Sequence, residues 1–129
     1  MSITVLTLTN RTPAPERDVF LKGFLALPKT LYPRERRTQD TKAEKAILNG
    51  THPLSGEFTV RAYLAVDDGA SPQGRCVLTY YPDDPAAYVG FFECVEDLDV
   101  CRALLSAAEA QARADGKEKL VGPLNASFW

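Results

Sequence analysis

Apolar positions recur along this chain with two periods. From Glu57 to Val66 the period is two. Phe58, Val60, Ala62, Leu64 and Val66 share one face, and Thr59, Arg61 and Tyr63 share the other. That alternation predicts a half-buried strand. Arg75 to Tyr81 returns with Val77 and Tyr80-Tyr81, after a stretch of Asp, Gly, Ser and Pro at 67–74, so the two segments should pair as an antiparallel hairpin. Ile3 to Thr9 is rich in β-branched residues and reads as an earlier strand. Tyr88 to Val95 is an apolar, aromatic run of strand length, and Lys119 to Gly122 is a short final one.

Elsewhere the spacing is helical. Val19, Phe20, Phe24 and Leu27 lie on one face of a helix that opens at Pro15-Glu16 and that Pro28 should stop. Lys29 to Arg37 reads as irregular, with Leu31-Tyr32 as its anchor. A shorter helix is predicted over 40–48, with Thr41 as cap, Glu44 three residues later and Asn49-Gly50 at its end. A third spans Leu98 to Asp115. Asp97 and Asp99 mark its start, Cys101, Leu104, Leu105, Ala108 and Ala112 form its apolar face, and Gly116 ends it. The order β-α-α-β-β-β-α-β is an α+β arrangement. Its last strand-helix-strand unit implies a right-handed parallel crossover.

Size and charge narrow the function. The chain has 129 residues, 45% of them hydrophobic, which suits one domain over 1–129 with a sizeable core. A formal net charge of −2 gives no attraction to nucleic acid or to an anionic membrane. The mixed-sign cluster Pro33-Arg34-Glu35-Arg36-Arg37 reads as a solvated segment. No stretch reaches the ~20 apolar residues of a membrane span, and the first residues lack a basic region followed by an apolar one. Cys76, Cys94 and Cys101 have neither disulfide-framework nor metal-site spacing, so no metal is expected. They read as buried thiols in a reducing, cytoplasmic setting. The single histidine, His52, has no evident catalytic partner.

A crossover helix puts its free N–H groups beside a strand end, where anions bind. Here the approach is Val95-Glu96-Asp97-Leu98-Asp99, with no glycine and no basic residue. Three carboxylates there suit a helix that caps itself. A phosphate cradle is the alternative reading, with Arg102 one turn in.

The element order resembles the first two-thirds of the GNAT superfamily of N-acetyltransferases. Short motifs strengthen the likeness to GNAT-like proteins: Gly90-Phe91-Phe92-Glu93, the acidic turn, the Ala/Leu-rich helix, Gly122-Pro123-Leu124-Asn125, Leu25-Ala26-Leu27-Pro28 with Leu31-Tyr32, and His52-Pro53. The resemblance implies a mixed sheet and acetyl-CoA as ligand. It implies Glu93 as general base, the backbone of Cys94 and Val95 as the hold on the pantetheine arm, and Leu98, Asp99 and Arg102 facing the pyrophosphate. Two departures accompany it. The pyrophosphate loop of the family is glycine-rich, whereas this one is acidic. The family fold also continues with a further helix and strands where this sequence reaches Ser127-Phe128-Trp129, which leaves a sheet edge that a second copy could cover as a homodimer. Both departures favour a non-catalytic binding or assembly module over an acyl-CoA-dependent N-acyltransferase or its cofactor-binding part. The alternative reading for Glu93 is an outward-facing strand residue or a partner of Arg61 or Arg75. The rings of Tyr80, Tyr81, Tyr88, Phe91 and Phe92 could line a small-molecule cleft or pack as cross-strand pairs.

Overall fold

The computed structural model describes residues 2–36 and 39–122. The expected features at Arg37, at Pro123-Leu124-Asn125 and at Ser127-Phe128-Trp129 lie outside them. Five strands, β1 (Thr4–Leu8), β2 (Thr59–Val66), β3 (Pro72–Tyr80), β4 (Ala86–Cys94) and β5 (Lys119–Val121), form one sheet in that order. Pairing is antiparallel as far as β4 and parallel between β4 and β5. The helices are α1 (Ala14–Leu31), α2 (Thr41–Asn49) and α3 (Leu98–Ala114). The order is the one the periodicities predict, and the mixed α+β class with it.

The two periods explain the layers. On one face Leu8, Ala62, Leu64, Val66 and Val77 meet Phe20, Leu21 and Phe24 of α1 and Leu48 of α2. On the other, Tyr63, Ala65, Cys76, Leu78, Ala87 and Val89 meet Val100, Leu104, Ala108 and Ala112 of α3. Because α3 covers this second face, β2 is buried on both sides rather than half-buried, and Tyr63 is only 2% exposed. Burial pushes its phenol up to about 12. Val100 takes the place expected of Leu105, which is exposed. Gly74 is required under α3, since a Cβ there would stand 2.7 Å from Leu104 Cδ1 and 3.0 Å from Val100 Cγ1.

Further local expectations are overturned, beginning with Val19, expected on the buried face of α1 but exposed while Leu21 is buried. Pro28 does not stop α1, which continues to Leu31. A proline inside a helix leaves the carbonyl four residues back without its N–H donor. Here that carbonyl is Phe24 O, and the buried guanidinium of Arg75 donates to it at 3.0 Å. The next carbonyl, Leu25 O, accepts from Gln39 Nε2 at 3.0 Å. The cap of α2 is Asp40 rather than Thr41, with Asp40 Oδ1 accepting from the Ala43 amide at 3.0 Å. Glu44 is thereby freed from a capping box and turns inward. Gly50 and Gly116 end α2 and the α3 turn at φ 71° and 78°, as their sequence positions suggest. Among the described residues no helix is long and apolar enough to cross a membrane.

Candidate functional site

The site is built around a break in β4. Arg75 lies opposite Glu93 and Val77 opposite Gly90, so one β3 residue, Cys76, faces both Phe91 and Phe92. This is a β-bulge, and Phe91 takes the left-handed conformation at φ 51°. The extra residue sends Phe91 to the α1/α2 face and Phe92 to the α3 face. It returns Glu93 to the side where α1 ends. There the Tyr32 hydroxyl donates a hydrogen bond to Glu93 Oε2. That bond holds the phenol proton and raises the Tyr32 pKa above its ordinary value.

Behind this pair lies a buried ion pair. Arg75 Nη1 and Nη2 donate to Glu44 Oε1 and Oε2 at 2.7 and 3.2 Å. Gln39 Nε2 adds a bond to Oε1 at 2.8 Å, and the guanidinium carbon sits 4.5 Å from the centre of the Phe24 ring. Arg75 is 2% exposed and Glu44 7%. Neither expected partner is therefore Glu93's. Arg75 pairs with Glu44, and Arg61 lies 3.5 Å from Asp115. Sequence reasoning missed Tyr32 as the contact of Glu93. The two are 61 residues apart, and the only sequence signal was the expectation that Leu31-Tyr32 anchors its segment.

The other expected site residues lie where β4 passes into α3. Cys94 and Val95 pack their side chains against the α3-face core, and the Val95 amide donates to Gln73 O at 2.9 Å. Burial raises the Cys94 thiol, with Cys101 and Asp97 adding to it, the opposite of an activated thiolate. Leu98, Asp99 and Arg102 are exposed on the first turns of α3. Asp97 caps that helix, its Oδ1 accepting from the Asp99 amide at 2.9 Å. On the far side of β4, β5 pairs at Ala86, Ala87 and Tyr88. Gly122 then passes so close that a Cβ would lie 2.7 Å from Val89 O. Among the described residues β4 has no strand partner on this side from Gly90 to Cys94.

The aromatic residues do not form one cleft. Tyr81 packs edge-on against Tyr88 and Phe58, at 5.4 and 6.1 Å between centroids. Tyr80 turns to the end of α3, where its hydroxyl donates to Asp115 Oδ2 at 2.5 Å. Among the described residues no group of three or more His, Cys, Asp or Glu is placed to hold a metal ion.

No family model matches the chain, and no curated protein matches it in sequence. Solved structures do. A tandem GNAT protein from the clavulanic acid biosynthesis pathway superposes with a TM-score of 0.67 over 98% of this chain, at 15% identity. This chain spans 39% of that protein's length. A GNAT-family acetyltransferase from Staphylococcus aureus gives 0.59 over 94% of this chain and 73% of its own, at 12% identity. The PaiA N-acetyltransferase from Thermoplasma acidophilum, in complex with coenzyme A, gives 0.52 over 98% and 83%, at 15% identity. At such identities the likeness is one of architecture, and the chain has the fold of the GNAT acetyltransferases.

Proposed function

We propose that this chain is a GNAT-fold binding module that has the strand-edge half of a coenzyme A thioester cleft and lacks the pyrophosphate half. The capped helix start carries this reading. Asp97 already accepts from the Asp99 amide, and Glu96 and Asp99 stand on the same exposed turn. A helix terminus favours an anion by about 0.3–1 kcal/mol. A unit charge about 4 Å from a carboxylate near a protein surface is opposed by about 4 kcal/mol. Repulsion therefore outweighs the dipole, and the turn does not fit a pyrophosphate. The edge of β4 from Gly90 to Val95 does fit an extended pantetheine arm, which bonds to backbone as an added strand does.

Thermal unfolding with acetyl-CoA, with free CoA and with pantetheine tests the reading. Millimolar acetyl-CoA should raise the melting temperature slightly, and pantetheine should do nearly as well. Asp97→Asn should enlarge the acetyl-CoA effect. A ligand at 100 times its Kd adds about 2.7 kcal/mol. A shift of that size at micromolar acetyl-CoA in the unaltered protein would overturn the proposal.

A second reading is an acyl-CoA-dependent N-acyltransferase, and one observation favours it. Glu93 stands beyond the bulge, oriented by Tyr32, as a group accepting a proton from an acceptor amine must be. Thiol release from acetyl-CoA in the presence of a panel of amines, abolished by Glu93→Gln, would establish it. The same release rate from wild type and Glu93→Gln would remove it.

A further inference from the structure

On the side of the sheet remote from β5, the last strand is β1, which among the described residues pairs only with β2. Its register is unbroken over Thr4–Leu8, so no bulge turns this edge away. Residues 2–10 carry no charge and no proline. Exposed edges are ordinarily blunted by such devices, because bare backbone N–H and C=O groups recruit another strand. Beside the edge runs an open trough of about 450 Å³, between β1 and the start of α1. Its apolar lining is Leu6, Pro15, Val19 and Phe20. Leu6 is 37% exposed and Val19 71%, and Val19 joins no part of the core.

The chemistry of this edge selects a second copy of the same strand. In a two-fold pair the same patch serves on both sides, and like charges directly opposite are destabilising. An antiparallel pair centred on Leu6, the middle residue of β1, sets Leu6 against Leu6, Thr4 against Leu8 and Ser2 against Asn10. No charge meets a like charge along that seam. Residues directly opposite share a face, with Cβ atoms about 4.5–5.5 Å apart. The second Leu6 therefore comes to the mouth of the trough, on the side where Val19 is exposed. The charges stand at the two ends. At the entry of β1 the Ser2 amide donates to Asp68 Oδ2 at 3.4 Å. At its exit Arg11 follows Asn10, exposed and with no carboxylate partner among the described residues. The same register lays Arg11 of each copy beside Asp68 of the other. An uncharged centre flanked by opposite charges is complementary to itself when reversed, which is what a two-fold seam requires.

We infer that β1 is the seam of a homodimer, in which two copies join edge to edge, antiparallel about Leu6, into one continuous sheet with both α1 helices on the same side. The test is sedimentation equilibrium of the full chain over a hundredfold range of concentration. A monomer–dimer equilibrium should appear, with a Kd on the order of 10–100 µM for so short a seam. Leu6→Lys sets two lysines face to face and should weaken association about tenfold or more. Arg11→Glu should weaken it too, and adding Asp68→Arg to Arg11→Glu should restore it. In a mixture of ¹³C-labelled and unlabelled chains, isotope-filtered NOEs should connect the Leu6 methyls of one copy to those of the other. A chain that stays monomeric at millimolar concentration would overturn the inference. So would a dimer that lacks the Leu6 NOEs, keeps its affinity in a folded Leu6→Lys, as one joined through the β5 side would, or gains nothing from the charge swap. The NOEs are read in the unaltered protein, so they decide the matter even if a variant does not fold. No coenzyme enters these measurements, and either result leaves the thioester reading unaffected.

Discussion

The two faces of the sheet solve the same problem differently. The α3 face is dry. Val100, Leu104, Ala108 and Ala112 lie at helical spacing on Tyr63, Cys76 and Leu78, and Gly74 leaves room for the helix to settle. The α1/α2 face has a comparable apolar patch, but at its edge it buries a charged pair, Arg75 with Glu44. That pair completes the backbone of a helix interrupted by Pro28 and stands behind Tyr32 and Glu93. One face is thus held by apolar area and close packing. The other adds a buried polar network, beside which Tyr32 holds the candidate carboxylate.

The sharpest way to break this contrast is to halve the buried pair. Glu44→Gln leaves the Arg75 charge uncompensated and should cost about 3–5 kcal/mol in chemical denaturation. It should also speed hydrogen exchange at the Tyr32 amide, which donates to Pro28 O in the last turn of α1. Combining Glu44→Leu with Arg75→Met should cost less than either change alone, whereas an additive loss would mean the pair is not coupled. On the dry face Leu104→Ala removes a fully buried side chain and should cost about 2–5 kcal/mol, without altering exchange at Tyr32. Gly74→Ala, which overfills the same interface, should cost about 1–3 kcal/mol. Tyr32→Phe should cost no more than about 1 kcal/mol, yet remove from an absorbance titration a phenol that ionises above the ordinary range.

The smallest effect concerns pH. The Tyr80 hydroxyl, then Gln111 and Arg61, hold the Asp115 carboxyl below its ordinary pKa. A group whose folded pKa is depressed stabilises the fold above its unfolded value, about 3.9 for aspartate. That stabilisation is lost as pH falls through the lower folded value. Asp115→Asn should therefore lower stability slightly at neutral pH and flatten the acid limb below about pH 4, so that the two profiles converge in acid. A limb as steep as the wild type's would show that Asp115 does not contribute to it.

The limits of α3 were legible because they are local. Asp97, the apolar spacing and Gly116 act within a few residues, and the helix runs from Leu98 to Ala114 as they imply. The hairpin of β2 and β3 and the parallel β5 followed from period and order, since a strand of period two must bury one face and a helix between two strands returns the chain beside the first. The acidity of the β4–α3 turn, and the self-capping it permits, were likewise written in five consecutive residues. Three features were not legible. The proline rule correctly predicts that Phe24 loses its donor, but only the fold supplies Arg75 as the replacement, 51 residues away. Glu44 reads as a capping-box acid until Asp40 takes that role and Arg75 draws Glu44 inward. Glu93 reads as one more strand carboxylate until the bulge at Phe91 turns it towards Tyr32. Short-range hydrogen bonds and periodicity are properties of a segment, so the sequence determined them by itself. The partners of buried charges and the aim of a side chain past a bulge depend on which distant segments share the interior, and only the tertiary structure decided those.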